Sequence, residues 1–452
     1  MTRRAADPRV MTREQSQALI ERVVKMSKAE GVQVNIGGGY NANIRFADNR
    51  ISTAGGVATA NVNVQSSFGA KHAVTSTNDL SDAGLERAVR QSEALAKLAP
   101  DDPESMPLLG PQQYEEVKSY FDSTANLGPE GRAETARAAI DPCKAAGDLK
   151  AAGFLITGIG AGAVGNNKGL FAYQAGTSAN YTLTVRTADG LGSGWAGADH
   201  PDWSKLDVKA VAQHAIDKAR RSRGAVAIEP GRYTVILEPQ AVGDLVQLLA
   251  FALDARSADE GRSPFSKQGG GTKIGEKIVD ERVTLFSDPA DPQLLSNVFD
   301  GQGLPAHRQV WIENGMLKKL TYSRFWAQKK NQQPDAGTNA VKLNGGTQST
   351  DELIASTPRG VLVTRLWYLR SVDPRTILYT GLTRDGTFLI ENGKITKAVK
   401  NMRFNESPLF MLNNLDALGR PERVAGTEAG GDVVMPAIKV RDFNFTSLSD
   451  AV

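Results

Sequence analysis

The chain has 452 residues, which is too long for one ordinary hydrophobic core, so two or three domains are expected. Its 40% hydrophobic and 23% charged residues are typical of a soluble globular protein. The net charge of +3, from 53 basic and 50 acidic residues, argues against the strongly basic surface of a nucleic-acid-binding protein.

A reducing compartment and no membrane anchor are expected. Cys143 is the single cysteine, so no disulfide can form within the chain. The basic N-terminus is not followed by the apolar segment of a secretory signal. The most apolar run, residues 245–255, is too short to span a bilayer. We therefore predict a cytoplasmic protein that contacts neither membrane nor nucleic acid; whether Met1 or Met11 starts the chain is left open.

The first 99 residues predict an α+β module. Thr12 and Gln15 have the spacing of a capping box, and apolar residues then recur on one helical face up to Gly31. Strand-like segments follow at residues 33–36, 43–47, 58–66 and 70–76. A second helix is predicted after Ser81, a favourable N-cap residue. This order of elements predicts one compact module over residues 1–99.

Residues 100–128 are predicted to be a linker, because four prolines stand between residues 100 and 111. A second α+β module is predicted over residues 129–229. It contains a helix at 130–146, strands at 154–157, 170–174 and 180–187, a glycine-rich loop at 190–202 and a helix at 207–221. The similar order of elements in the two modules suggests an internal repeat.

Residues 230–452 predict a β-rich C-terminal domain. A strand at 233–237 and a helix at 241–254 begin it, and the later segments mostly favour strands and turns. We expect a large, mostly antiparallel sheet or a barrel-like body. The predicted fold class is therefore α+β, with N-terminal modules of helices and antiparallel strands followed by this large β domain.

A glycine motif in the central module formally matches a dinucleotide-binding fingerprint. Gly160, Gly162 and Gly165 have the required spacing, and a predicted strand precedes them. The fingerprint also needs a helix directly afterwards, whose N-terminus meets the pyrophosphate. Another strand pattern follows instead, so we interpret these glycines as a flexible hairpin or inter-strand loop.

The sequence predicts no catalytic residue and no metal ligand in this chain. The four histidines, His72, His200, His214 and His307, lack the spacing of a zinc motif. Cys143 lies in an alanine-rich helical pattern, which is typical of a buried structural thiol.

Six ionic residues are concentrated between residues 359 and 413. They are Arg365, Arg370, Asp373, Arg375, Arg384 and Asp385. Asp385–Gly386 and Asn392–Gly393 predict two hairpins, because both central residues of a type I′ turn need positive φ. In the first hairpin, residues 382–384 are expected to pair with residues 387–389. The charges indicate either a paired polar network or a solvated sheet face, and the sequence leaves both open.

The segment that carries these residues resembles a known family. The run VTRLWYLRSVDPRTILYTGLTRDGTFLIENGKI, at residues 363–395, and RFNESP, at 403–408, are similar to the C-terminal part of the TldD/PmbA family. The resemblance continues through residues 166–190, 260–266, 273–289 and 299–315. It implies a cytoplasmic component of a bacterial peptidase.

The chain departs from the metal-bearing branch of that family. There, a helix equivalent to residues 241–254 carries an HExxxH motif that binds zinc, and a further cysteine ligand lies in the C-terminal tail. Here no histidine occurs between Val242 and Gly261, and residues 426–432 contain no cysteine. The resemblance is therefore closer to the TldE/PmbA-like branch, whose members it implies to be metal-free partners of the zinc subunit.

The resemblance implies a heteromer in which a TldD-like chain holds zinc, this chain holds no cofactor, and the substrate is an unfolded peptide. Arg365, Arg370, Asp373, Arg375, Arg384 and Asp385 are the candidates for substrate or interface contacts, and structural ion pairing would produce the same pattern. Two other functions stay open. One is a stand-alone hydrolase, and the other is a non-proteolytic peptide-binding or scaffold protein, which could be homodimeric.

Overall fold

The architecture is α+β, as predicted, with a helix-covered N-terminal sheet and a large C-terminal sheet. The structure, a computed structural model, describes residue 7 and residues 9–337, 340–428 and 430–449. Within these ranges, no helix combines the length and the apolar character needed to cross a membrane.

The N-terminal half repeats one arrangement of elements. The first copy consists of α1 (Arg13–Met26), β1 (Gly31–Ala47), β2 (Arg50–Phe68), β3 (Lys71–Thr77) and α2 (Asp82–Leu98). The short α3 (Asp122–Ala125) lies in the intervening segment. The second copy consists of α4 (Pro129–Ala146), β4 (Leu149–Asn166), β5 (Phe171–Thr187), β6 (Ser193–Asp199) and α5 (Val208–Arg221). This is the internal repeat that the sequence suggests.

The two copies share one antiparallel sheet with the strand order β3-β2-β1-β4-β5-β6. β1 and β4 pair along fourteen positions, from Gln33↔Asn166 to Phe46↔Gly153. The predicted modules 1–99 and 129–229 are therefore joined through the centre of a single sheet.

Both pairs of helices cover the same face of this sheet. α1 and α2 pack on Val32 and Val34 of β1, and α4 and α5 pack on Ile44 and Phe46 further along the same strand. These four residues are an even number of positions apart, so their side chains point to one side. No described helix packs on the other face, which is turned toward the C-terminal domain.

Local signals in the sequence explain the helix starts. Thr12 and Gln15 form the predicted capping box of α1, and Ser81 caps α2 by accepting a hydrogen bond from the Gly84 backbone N–H. Asp207 caps α5 in the same way.

The C-terminal domain contains a mostly antiparallel sheet of thirteen strands in its described residues. Its elements are β7 (Gly231–Leu237), α6 (Pro239–Phe251), α7 (Ala255–Asp259), β8 (Leu285–Ser287), β9 (Gln309–Glu313), β10 (Met316–Leu317), α8 (Arg324–Lys330), β11 (Val341–Leu343), α9 (Thr350–Ala355), β12 (Arg359–Val363), β13 (Leu366–Asp373), β14 (Leu378–Thr383), β15 (Thr387–Glu391), β16 (Lys394–Ala398), β17 (Met402–Glu406), α10 (Pro408–Asn413), β18 (Leu415–Arg423) and β19 (Val433–Leu448). Two pairs are parallel, β7 with β12 and β11 with β19. α6 packs on this sheet within the largest hydrophobic core.

Two predictions about loops were wrong. Gly160, Gly162 and Gly165 lie inside β4 rather than in a loop, and residues 193–199 of the predicted glycine-rich loop form β6. Neighbouring strands hydrogen-bond to the glycine backbone on both sides of β4, which offsets the low strand propensity of glycine.

One of the two predicted hairpins was also wrong. Asn392 and Gly393 have positive φ and connect β15 to β16, as predicted. Asp385 and Gly386 also have positive φ, but the strands on either side of them do not pair. β14 pairs with β13 and β17, whereas β15 pairs with β12 and β16, so both edges of each strand are already occupied.

Candidate functional site

A row of glycines forms a bare floor on the sheet face that no helix covers. Gly37 pairs with Gly162, Gly39 with Gly160, and Gly160 with Gly176, so three adjacent strands lack side chains at the same level. A Cβ atom added to Gly37 would meet nothing within 4 Å, and one added to Gly160 would approach only the Gly38 carbonyl oxygen, at 3.6 Å. The main chain of a ligand can therefore approach this part of the sheet closely.

The floor is one wall of a cleft of about 680 Å³ between the N-terminal sheet and the C-terminal domain. The opposite wall is the segment at residues 295–301, which is tied to the sheet by side-chain hydrogen bonds. Asn35 Nδ2 donates to the Gly301 carbonyl oxygen at 2.7 Å, and the Val298 backbone N–H donates to Gln174 Oε1 at 3.0 Å. The cleft therefore has a defined width rather than being an open gap between domains.

Arg423 connects the two domains at one end of the cleft. Its Nε donates to Asp199 of β6 at 2.7 Å, and its Nη2 donates to Asp432 at 3.1 Å. A further bond runs from Nη1 to the Leu294 carbonyl oxygen at 2.7 Å. These charge-assisted hydrogen bonds hold together the end of β18, the end of β6 and the residue that leads into the 295–301 wall.

Three of the six ionic residues singled out in the sequence meet in one buried network. Asp385 is buried, and its Oδ2 lies 3.1 Å from Arg365 Nη1 and 3.7 Å from Arg384 Nε. Its Oδ1 accepts a 2.6 Å hydrogen bond from the hydroxyl of Ser193 on β6. The network thus joins the C-terminal domain to the N-terminal sheet.

Two tryptophans complete this network. The Arg365 guanidinium lies 4.6 Å from the ring centroid of Trp195 and 4.9 Å from that of Trp367, while Arg384 lies 5.1 Å from Trp367. Guanidinium groups between aromatic rings gain cation–π stabilisation, and this is stronger where water is excluded.

The other three ionic residues lie apart on the surface of the β13–β14 connection. Arg370 is exposed and stacks on Tyr368, with 4.0 Å between its guanidinium carbon and the ring centroid. The Asp373 carboxylate accepts hydrogen bonds from the Arg375 backbone N–H and the Thr376 hydroxyl, which stabilises the turn. Three of the six ionic residues therefore lie in a paired network and three on a solvated surface, so each of the two alternatives describes half of the residues.

Sequence reasoning missed Ser193, Trp195 and the glycine floor. The floor had a signal, because Gly37 and Gly39 are two apart, as are Gly160 and Gly162, which is the period of one strand face. Ser193 and Trp195 had no local signal, since their partners Asp385 and Arg365 lie about 190 and about 170 residues further along the chain.

The predicted helix 241–254 is α6, and it is buried over every residue from Ala241 to Leu249. Its one carboxylate, Asp244, accepts a hydrogen bond at Oδ1 from the Glu428 backbone N–H at 3.0 Å. Within the described residues, Asp244 Oδ2 has no hydrogen-bond partner. Burial raises the pKa of Asp244 to about 7, so near neutral pH the protonated, uncharged form is well populated.

In the part of the chain that the structure describes, Cys143 and the histidines are not assembled into a reactive centre. Cys143 is buried, as predicted, and burial raises the pKa of its thiol to about 11. Burial lowers the pKa of His200, whose Nδ1 accepts a hydrogen bond from the Asp202 backbone N–H. His72 and His307 each lie near one carboxylate, Asp102 and Glu115 respectively. No group of three or more metal-ligating side chains occurs among the residues that the structure describes.

The order of N-terminal, central and C-terminal regions is that of a class of proteins named for metallopeptidases. Residues 33–96 match the family model described as "PmbA/TldA metallopeptidase domain 1". Residues 124–223 match the model of the central domain, and residues 230–447 match that of the C-terminal domain. The chain belongs to the PmbA/TldD family.

Individual relatives are similar over part of the sequence and most of the fold. A metalloprotease from Methanothermobacter thermautotrophicus is 28% identical over 236 residues, covering 48% of this chain and 49% of that protein. A metalloprotease TldD homolog from Buchnera aphidicola is 24% identical over 49% of this chain and 45% of its own length. The chain thus spans about half the length of these curated relatives in the alignments. The crystal structure of TldE from Thermococcus kodakarensis is 20% identical, with a TM-score of 0.84 over 95% of this chain and 99% of that one.

Proposed function

We propose that the chain is the metal-free partner subunit of a TldD/TldE-type heteromeric zinc metallopeptidase that cleaves unfolded peptides. A TldD-like chain supplies the zinc, and the complex works in the cytoplasm. The proposal rests on one observation: in a chain that belongs to the PmbA/TldD family, helix α6 contains no histidine.

The residues of α6 do not fit a zinc site. Zinc in proteins is bound mainly by cysteine and histidine, with carboxylates as additional ligands. In the described structure, α6 offers the Asp244 carboxylate and the Gln247 amide, both buried in the domain core. No step of peptide hydrolysis is therefore assigned to a metal held by this chain.

The cleft supports a role in holding the peptide. An extended peptide can lie on the glycine floor because its main chain meets no side chain at the level of Gly160. Polar groups such as Asn41 and Ser178 line the same cleft and can hydrogen-bond to peptide groups. Binding that relies on main-chain contacts tolerates varied side chains, which suits a peptidase acting on unfolded chains.

A second candidate function is a non-proteolytic peptide-binding or scaffold protein. The same cleft supports it, since peptide binding on the glycine floor needs no zinc-bearing partner. The two candidates differ only in whether a second chain completes a catalytic centre.

Zinc counting on a reconstituted complex tests the proposal. The chain, a TldD-like chain from the same source and their mixture are each purified and examined by elemental analysis. Cleavage of reduced, alkylated α-lactalbumin, a permanently unfolded substrate, is measured for all three. We expect zinc in the mixed complex and not in this chain alone, with the fastest cleavage by the complex.

Two results would contradict the proposal. Stoichiometric zinc in this chain alone would mean that its ligands lie outside α6. Cleavage by the TldD-like chain that is unchanged on adding this chain, with no complex formed, would favour the scaffold function.

A further inference from the structure

A cleft of about 730 Å³ lies between the C-terminal end of α5 and β16, the last strand of its sheet. We call it the basic cleft, because two arginines line it on the helix side and two lysines on the strand side: Arg221, Arg223, Lys394 and Lys397. Asp351 is the one acidic residue among the described residues that line it. Four cations and one carboxylate give these walls a net charge of +3.

Most of these cations have no carboxylate to neutralise them. Arg223 pairs with Asp148 at 2.7 Å. In the part of the chain that the structure describes, Arg221, Lys394 and Lys397 form no ion pair. Like charges that face one another across a cleft repel, and an anion lying between them turns this repulsion into attraction.

A β-bulge directs both lysines of β16 to the same side. β15 and β16 pair with a shift of one residue, and Thr396 is the extra residue on β16. Residues three apart on a regular strand point to opposite faces, but one extra residue between them brings them to the same face. Lys394 and Lys397 therefore share one side, while Ile395 and Ala398 pack in a hydrophobic cluster on the other.

The stability of the two elements does not explain why their cations converge. A cation at the C-terminal end of a helix stabilises it through the helix dipole, which accounts for Arg221. Lysines on an edge strand keep it from pairing with other chains, which accounts for Lys394 and Lys397 taken alone. Both roles would be fulfilled with the two groups pointing away from each other. Convergence on one cleft is the arrangement that a ligand with several negative charges requires.

A second cavity, of about 420 Å³, adjoins the basic cleft at Gly224, which lines both. A Cβ atom added to Gly224 would meet nothing within 4 Å, so the passage between the two is open. We call this second space the interdomain cavity, because Leu191 lines it from the N-terminal half and Val399 and Asn401 line it from the C-terminal domain. Apolar cavities with a few convergent polar groups are typical of small-molecule sites.

The interdomain cavity offers a buried carboxylate to a ligand. The side chain of Asp385 is 2% exposed and lines the cavity. Its Oδ1 accepts a hydrogen bond from the Ser193 hydroxyl, and a carboxylate oxygen has room for a second donor. A sugar hydroxyl or the amino group of a base is such a donor. The side chain of Leu191 is 67% exposed at this cavity and provides an apolar surface for a ring.

We propose that the basic cleft and the interdomain cavity form one binding site for a nucleoside polyphosphate. The phosphates lie between α5 and β16, and the nucleoside lies in the interdomain cavity. The roughly three to four negative charges of a triphosphate match the net charge of the basic cleft. Because Ser193 and Asp385 belong to different domains, the ligand contacts both and stabilises their junction.

The inference goes beyond the proposed function, since this site is separate from the one proposed for the peptide. No described residue lines both the glycine-floored cleft and either part of the nucleotide site. The two ligands are therefore expected to bind together rather than compete.

Isothermal titration calorimetry on the full-length chain tests the site. ATP, tripolyphosphate and adenosine are titrated without added magnesium, so that ATP keeps its full charge. We expect one ATP per chain with a Kd below about 1 mM. Tripolyphosphate and adenosine should each bind at least about tenfold more weakly, because each fills only one of the two compartments. Saturation with reduced, alkylated α-lactalbumin should leave ATP binding unchanged.

Two variants separate the compartments. Lys394→Gln/Lys397→Gln should weaken the binding of both ATP and tripolyphosphate at least about tenfold. Leu191→Ala should weaken ATP binding about threefold or more and leave tripolyphosphate binding unchanged. The matched control is Lys205→Gln/Lys209→Gln, which removes the same charge from exposed positions at the other end of α5, roughly 20 Å away. It should bind ATP like the wild type, and thermal unfolding checks that all variants fold.

Three results would overturn the inference. The first is the absence of ATP binding up to about 1 mM. The second is tripolyphosphate binding as tight as that of ATP, which would mean that the interdomain cavity takes no nucleoside. The third is equal weakening by the two pairs of lysine substitutions, which would reduce the binding to attraction by overall charge. None of these results bears on whether a TldD-like partner supplies zinc.

Discussion

The hydroxyl of Ser193 donates a 2.6 Å hydrogen bond to the buried carboxylate of Asp385, and this contact joins the N-terminal sheet to the C-terminal domain. The same carboxylate neutralises Arg365, which lies between Trp195 and Trp367. A single aspartate thus holds one serine, one arginine and, through that arginine, two aromatic rings in place.

We predict that Asp385→Asn lowers the free energy of unfolding by about 2–3 kcal/mol, because it leaves Arg365 partly buried without its counter-ion. Asp373→Asn is the control and should change stability by less than about 0.5 kcal/mol, because its side chain lies in a surface turn. Urea unfolding followed by tryptophan fluorescence measures both. Equal effects of the two substitutions would mean that the buried network contributes nothing beyond a surface turn.

We predict that Gly160→Val preserves or slightly raises stability while weakening the binding of reduced, alkylated α-lactalbumin at least about tenfold. The new side chain enters the open cleft, and replacing a strand glycine removes backbone freedom from the unfolded chain. Gly55→Val is the matched control, since Gly55 also has open space at its Cβ position and lies outside the cleft. Thermal unfolding and fluorescence anisotropy provide the two readouts. Retention of full binding by Gly160→Val would show that the peptide lies elsewhere.

The protonation of Asp244 should make stability fall as pH rises. Its folded pKa of about 7 lies above the unfolded value of 3.8, so the folded protein binds more protons between these values. The contribution of Asp244 is therefore most favourable below about pH 4 and is lost by about pH 7. Three pKa units correspond to as much as about 4 kcal/mol.

Asp244→Asn tests this dependence, because an asparagine resembles the protonated acid. Relative to the wild type, we expect the variant to gain stability at pH 8 and to change little at pH 4. Urea unfolding midpoints at several pH values give the comparison. A parallel pH dependence in both proteins would show that Asp244 ionises at the same pH in its folded and unfolded states.

Helix starts were predictable because the interactions that fix them are local. Thr12, Ser81 and Asp207 each cap a helix within three residues, and α6 follows a continuous apolar pattern. The Asn392–Gly393 turn was predictable for the same reason, because positive φ at both positions is a property of those two residues.

The glycine-rich strands were not predictable from local pattern. Glycine at residues 37–39 and 158–165 has low strand propensity, so the sequence predicted breaks where β1 and β4 continue. Strands that are distant in the sequence stabilise β1 and β4. At Gly39 the two strands lie so close together that an added Cβ atom would be 1.9 Å from the Ile159 carbonyl oxygen of β4.

The Asp385–Gly386 turn failed as a hairpin for a related reason. Its two residues do adopt the positive φ that the sequence implies. Long-range pairing then decides where the flanking strands go, and the Asp385 side chain is directed to Ser193 in the other half of the chain. Three of the six candidate residues form a network around Asp385. The sequence alone could not distinguish them from the other three, because residues that complete the network are distant in the chain.

The pairing of β1 with β4 also determines when the protein can fold during synthesis. β1 ends at Ala47, whereas its central partner begins only at Leu149. Until β4 has left the ribosome, the inner edge of β1 has no partner. Pairing the two strands across so long a loop is then slow, because closing the loop costs chain entropy. The first repeat is therefore exposed to mispairing while about a hundred further residues are made, a period in which a chaperone can bind the nascent chain.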